Sequence, residues 1–226
     1  MKIKGFNFMF QKSLFKKNFA EQYRIFNYKN CKVFMDVEVD GKKLGRMIFE
    51  IYSQYLPLTS MNFINLCKGI SKNGKTYSYK NTKFHKIVPG MLTQGGKISE
   101  DNSVTYYGNK FNHENYLIGH SEPGIISMVN DEFNTNGSQF FITTSDCSWL
   151  DGKNVAFGKI SEGIEILNEI ELCGNVDGSP LSEVIISDCG VLSNPETYSE
   201  NNDHHDHHNH HDNHHEQNHN NHNKHH

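Results

Sequence analysis

Apolar and polar residues alternate over positions 33–40 (VFMDVEVD), the period-two pattern of a strand with one buried face. Gly41 supplies a turn, and 46–52 (RMIFEIY) reads as the strand that returns beside it. Pro57 then opens a helical stretch in which Leu58, Met61, Phe63, Ile64 and Cys67 share an inward face and Gly69 ends the helix. Short strand patterns recur at 83–88, 92–93, 125–130, 139–143, 155–160 and 184–189. A second helix fits 163–172, with Ile164, Leu167 and Ile170 on its apolar side. Many short strands with two isolated helices predict a mainly-β fold, a closed antiparallel barrel whose ends are capped. Periodicity alone leaves a ligand-holding barrel of the lipocalin type open.

Composition changes that picture only at the two ends of the 226 residues. Twelve of the 15 histidines lie at or after His204, and almost nothing apolar follows Ser193. The organisation expected is a globular domain over 33–192 between a basic extension, 1–32, and a polar tail, 193–226. The extension carries Lys2, Lys4, Lys12, Lys16, Lys17, Arg24, Lys29 and Lys32 against one acid, Glu21. Phe6, Phe10 and Leu14 recur at helical spacing, so the segment reads as an organelle leader, mitochondrial for example, or as an unspecific basic extension of a cytoplasmic protein. The tail cannot bury enough surface to offset its ordering entropy and is expected to be disordered. Its histidine pairs from His204 to His226, interleaved with Asp206 and Asp212, suit loose metal binding; compositional drift without a role is the plainer reading.

Charge and cysteine content exclude more than they suggest. A net charge of -4 gives no general electrostatic reason to expect a nucleic-acid partner. No apolar run approaches the roughly 18 residues of a membrane span. Cys31, Cys67, Cys147, Cys173 and Cys189 are odd in number and scattered, which fits reduced thiols inside a cell rather than a disulfide framework.

Two blocks carry the chemistry. Residues 84–96 read FHKIVPGMLTQGG and 134–143 read NTNGSQFFIT, followed by Trp149-Leu150-Asp151-Gly152. With the Gly45-Arg46 strand, the Asn62-Phe63 helix and the closing Asp188-Cys189-Gly190, the chain resembles the cyclophilins, peptidyl-prolyl cis-trans isomerases that bind cyclosporin. The resemblance runs from about Val33 to Leu192. It implies a closed eight-stranded antiparallel barrel with two capping helices and a groove on the outer wall. It implies catalytic roles for Lys86 and Gln94, and substrate contacts from Met91, Leu92, Val129, Asn130, Gln139, Phe141, Trp149, Leu150 and Asn154. The partners implied are proline-containing peptides and proteins, with cyclosporin as a ligand, bound by a monomer that needs no cofactor and assists protein folding.

Taken singly, most of these residues have plainer explanations: Phe141, Leu92 and Leu150 suit any core, Lys86 a solvated face, Gln94 a turn. Four departures from the family pattern bear on mechanism. Lys86 stands in place of arginine, Met91 in place of phenylalanine and Asn154 in place of histidine. The loop after Gly96 (KISEDNSVTYYG) is short and poor in glycine, while Asp131-Glu132-Phe133 replaces small residues and proline. Reduced activity is the expectation, and Asp131 and Glu132 are expected to disfavour acidic substrates. A catalytically weak module that binds proline segments is the alternative, and a metal-buffering tail on an inert barrel a third reading.

Overall fold

The computed structural model describes residues 30–131 and 134–193. The basic leader before position 30, Glu132, Phe133 and the histidine-rich tail lie outside the described residues.

β1 (Cys31–Val39) buries Cys31, Val33, Met35 and Val37 completely and turns Lys32, Asp36 and Glu38 outward, as its alternation requires. It pairs antiparallel with β2 (Lys42–Ile51) through a two-residue turn. Asp40 and Gly41 both take positive φ there, 49° and 75°, the geometry that matches the twist of a tight hairpin. β3 (Ile70–Lys72) and β4 (Lys75–Tyr77) form a separate small hairpin that the apolar pattern did not signal. The remaining strands are β5 (Lys86–Val88), β6 (Leu92–Gly95), β7 (Phe111–Asn112), β8 (Ile125–Asp131), β9 (Thr135–Thr143), β10 (Ala156–Glu162) and β11 (Val184–Ser193).

The main sheet runs β11-β1-β2-β10-β8-β9-β6-β5, with β7 attached to β9. It is therefore an open, strongly curled antiparallel half-barrel of eight strands, not the closed barrel expected from the sequence. The reason lies at β5. The Ile87 N–H on its free edge is taken by the Gly178 carbonyl at 2.9 Å, so a loop occupies the place where β11 would have closed the sheet. Asn81 at φ 66° bends the chain before it, leaving one isolated bridge, Lys83 to Ile185, and a few backbone bonds toward β11.

Helix α1 (Pro57–Lys68) fills one opening of the curl. Its buried face is Asn62, Phe63, Ile64, Leu66 and Cys67, with Leu58 and Met61 only partly covered. Phe63 sits 5.0–5.3 Å, centroid to centroid, from Tyr79, Phe140 and Phe157, edge to face with Phe140 and tilted against the other two. The helix start has no side-chain cap of its own. The Glu114 carboxylate, from a distant loop, accepts the Leu58 and Thr59 N–H groups at 3.1 and 3.0 Å instead. Helix α2 (Ile164–Leu172) covers the other opening with fully buried Leu167 and Ile170. It lies so close to β2 that a Cβ on Gly45 would be 2.3 Å from Ile166.

Candidate active site

The register of the sheet assembles the site. Lys86 is the partner of Gln94 across β5 and β6, Gln94 of Phe141 across β6 and β9, and Phe141 of Ser127 across β9 and β8. Directly paired residues share a face, so a cation, an amide and an aromatic ring stand in one row on the outer wall. The neighbouring row, Ile87, Thr93, Ile142 and Ile126, points into the core and is fully buried.

Beside that row, Leu92, Phe141, Cys147 and Leu150 form a second apolar cluster outside the curl, with Met91 and Val129 packed against it. Phe141 is 3% exposed, so the cluster is a floor rather than a loose surface patch. Trp149, in a short 3-10 turn (Ser148–Leu150), stands at its margin 54% exposed, with the Lys153 ammonium 5.9 Å from its ring. Asn130 is exposed at the far end of β8. Asn154 is held by its amide, which donates to the Met128 carbonyl at 3.1 Å, and so serves the wall before any ligand.

The polar side chains are tied together. Gln94 Nε2 donates to Gln139 Oε1 at 3.0 Å and lies 3.2 Å from His85 Nε2. The Lys86 side chain is exposed and takes no hydrogen bond or ion pair among the described residues. Its stem leans toward the sheet edge, where a Cβ on Gly178 would be 3.1 Å from Lys86 Cγ. Thus the register places Lys86 on the same face as Gln94 and Phe141 while its stem lies near the edge loop.

Two supports have no signal in the sequence pattern. Buried His120 is stacked on Phe141, 5.9 Å between centroids, and joins Asp151 through Nδ1 (2.8 Å) and Ser127 through Nε2 (2.9 Å). The His120 bond holds the Asp151 carboxyl below the usual carboxylate range. A Ser-His-Asp chain suggests a hydrolase, but Ser127 is wholly buried and cannot meet a substrate, so the chain is a brace between floor and rim. The second support is Asn102, in the short loop after β6. Its Oδ1 accepts the Ser138 and Gln139 N–H groups at 2.8 and 3.0 Å, fixing that loop against β9. Asn102 itself takes positive φ (52°), a turn conformation that Asn tolerates better than most residues.

On the outside of the curl, an apolar floor thus lies between a pair of linked amides and an exposed tryptophan. The family model for cyclophilin type peptidyl-prolyl cis-trans isomerase/CLD matches residues 34–191, and the chain belongs to this family. It is an isomerase of X-Pro peptide bonds by that membership. Among the described residues, no helix is long and apolar enough to cross a membrane. No group of three or more His, Cys, Asp or Glu among them is placed to hold a metal ion; the histidine-rich 204–226 segment lies outside them.

Proposed function

We propose that the groove isomerises proline-containing segments of proteins with Lys86 as its electrostatic element, at a rate below that of an arginine-bearing relative. An X-Pro bond resists rotation by about 18–20 kcal/mol because twisting breaks amide resonance. A catalyst needs to hold the ring, grip the preceding carbonyl and favour the half-rotated state over both ground states. Leu92, Phe141 and Leu150, with Met91 and Val129, receive the proline ring. Gln94, Asn130 and Gln139 take the backbone of the segment, and Trp149 and Asn154 bound it. The Lys86 ammonium, swung inward on its flexible stem, stabilises the twisted nitrogen as it becomes basic.

The observation that carries this reading is the cross-strand row of Lys86, Gln94 and Phe141. Lysine offers a hydrated point charge where a guanidinium offers a planar fork, hence the lower rate. Cyclosporin is a ligand of weakened affinity on this reading, since Met91 and Asn154 present less flat surface. The resting contact of the Lys86 stem with Gly178 favours a second reading, a module that binds proline segments without accelerating them.

NMR exchange on an Ala-Pro peptide separates the two. Lys86→Ala should lose roughly 30- to 150-fold in kcat/KM, the equivalent of about 2–3 kcal/mol, and Lys86→Arg should gain about tenfold. Equal rates for all three proteins would remove Lys86 from catalysis. Peptide binding with no exchange in any of them would select the module.

A further inference from the structure

His85 touches Gln94 through both backbone and ring, and the isomerase chemistry gives it no role. Its backbone N–H donates to the Gln94 carbonyl at 3.0 Å, and its ring approaches the Gln94 side chain as well. The carboxamide nitrogen of Gln94 has two N–H groups. One goes to Gln139 Oε1 at 3.0 Å, and the other faces His85 Nε2 at 3.2 Å. With Gln94 Nε2 as the donor, His85 Nε2 is the acceptor, which is the neutral tautomer with its proton on Nδ1. Gln94 Oε1 then makes no hydrogen bond among the described residues and is the group left for the groove, beside its cross-strand partner Lys86.

We infer that His85 is a positioning residue for the reaction: its unprotonated Nε2 holds the Gln94 carboxamide with oxygen toward the groove, and protonation turns that amide over. A proton taken from solvent onto Nε2 sets two donors face to face. The amide escapes by rotating half a turn, which gives Oε1 to His85, surrenders the bond to Gln139 and presents N–H to the groove next to a cation. An acceptor for a bound backbone N–H becomes a donor.

The surroundings favour the neutral ring. Desolvation is the largest influence and pushes His85 below the ordinary histidine range, with Lys97 and Lys86 acting in the same direction. Gln139 and the Lys83 carbonyl oppose it, although Nδ1 has no partner in hydrogen-bond geometry. His85 also borders a cleft of about 410 Å³ that touches Asp40, Lys83 and Glu183. Lys83 and Glu183 there are ion-paired with each other, and Asp40 binds the Glu183 N–H, so neither carboxylate is aimed at the ring.

This inference rests on the proposed role of Gln94 as a ligand of the bound segment, and the test separates the two. Ring 15N shifts of His85 and side-chain amide signals of Gln94 are followed by NMR on the full chain as pH is lowered from neutral, alongside kcat/KM for an Ala-Pro peptide. The expected result is an unprotonated Nε2 at neutral pH, a Gln94 amide signal that moves with the His85 titration, and an approximately fivefold fall in kcat/KM over the same step, about the worth of one neutral hydrogen bond. His85→Gln, whose Oε1 can accept from Gln94 without titrating, should abolish the step. A proton on Nε2 at neutral pH, or a Gln94 signal indifferent to His85, overturns the inference. So does a step that persists in His85→Gln. Amide signals that track His85 while the rate stays flat uphold the positioning and instead overturn Gln94 as a substrate ligand.

Discussion

The carboxylate of Asp131, at the end of β8, is ion-paired with the ammonium of Lys110, just before β7. The sequence suggested that Asp131 adds negative charge beside the groove and disfavours acidic substrates. Its charge is instead matched by a cation from a separate loop. Removing that cation should expose the repulsion: Lys110→Ala is expected to lower kcat/KM for a Glu-Pro peptide about fivefold relative to a Lys-Pro peptide. That is the effect of two charges about 4 Å apart in water, roughly 1 kcal/mol. An unchanged Glu-to-Lys ratio would show that Asp131 does not face the bound segment.

Gly178 sets the resting position of Lys86. It takes φ 84°, a conformation costly to any residue with a Cβ, and that Cβ would be 3.1 Å from Lys86 Cγ and 3.3 Å from Lys86 Cε. Gly178→Ala should cost about 1 kcal/mol of stability and displace the lysine stem. The rate change it causes in the wild type should be largely absent in a Lys86→Ala background. Additive effects in that double-mutant cycle would mean that the loop acts on activity by another route.

Glu114 caps a helix from 55 positions away. Its carboxylate binds the Leu58 and Thr59 N–H groups and the Thr59 hydroxyl, all within 3.1 Å. Urea denaturation of Glu114→Ala should report a loss of about 1–2 kcal/mol, since helix α1 has no cap of its own. A midpoint equal to that of the wild type would show that water replaces the carboxylate without penalty.

Asp36 and Arg46 form a two-pronged pair across β1 and β2, Oδ1 to Nε at 2.7 Å and Oδ2 to Nη2 at 2.8 Å, with the guanidinium 4.0 Å from the Phe34 ring centroid. The Arg46 hydrogen bond, above other influences, lowers the Asp36 pKa. A depressed carboxyl stabilises the fold fully above its unfolded pKa of about 3.9 and loses that contribution as pH falls through the lower folded value. Denaturation midpoints should therefore separate wild type from Asp36→Asn at neutral pH, by on the order of 1 kcal/mol, and converge in strong acid. A constant gap across that range would assign the effect to packing.

Local rules made much of the chain legible. The alternation of 33–40, the turn at Asp40-Gly41 and the Pro57 start of helix α1 follow from side-chain period and backbone preference, which act between near neighbours. The blocks around Gln94, Phe141 and Trp149 are contiguous, so their resemblance to a family was readable too. The supports were not. His120 and Ser127 are unremarkable residues, Asp151 stood out only as part of the Trp149 block, and Asn102 and Lys110 read as ordinary loop polarity. The closed barrel was overestimated for the same reason, since nothing near Ile87 in sequence announces that Gly178 will take its free N–H.

By itself, the chain determined its longer strands, its two helices, its family and the residue types on the outer wall, because each is encoded over short spans; the short strands β3, β4 and β7 were not among them. The tertiary structure alone decided that the sheet stays open, that Lys86 rests along Gly178 and that Gln94 is held between His85 and Gln139. Those outcomes are set by competition among hydrogen-bond partners brought together from distant positions, and such a competition has no period to read.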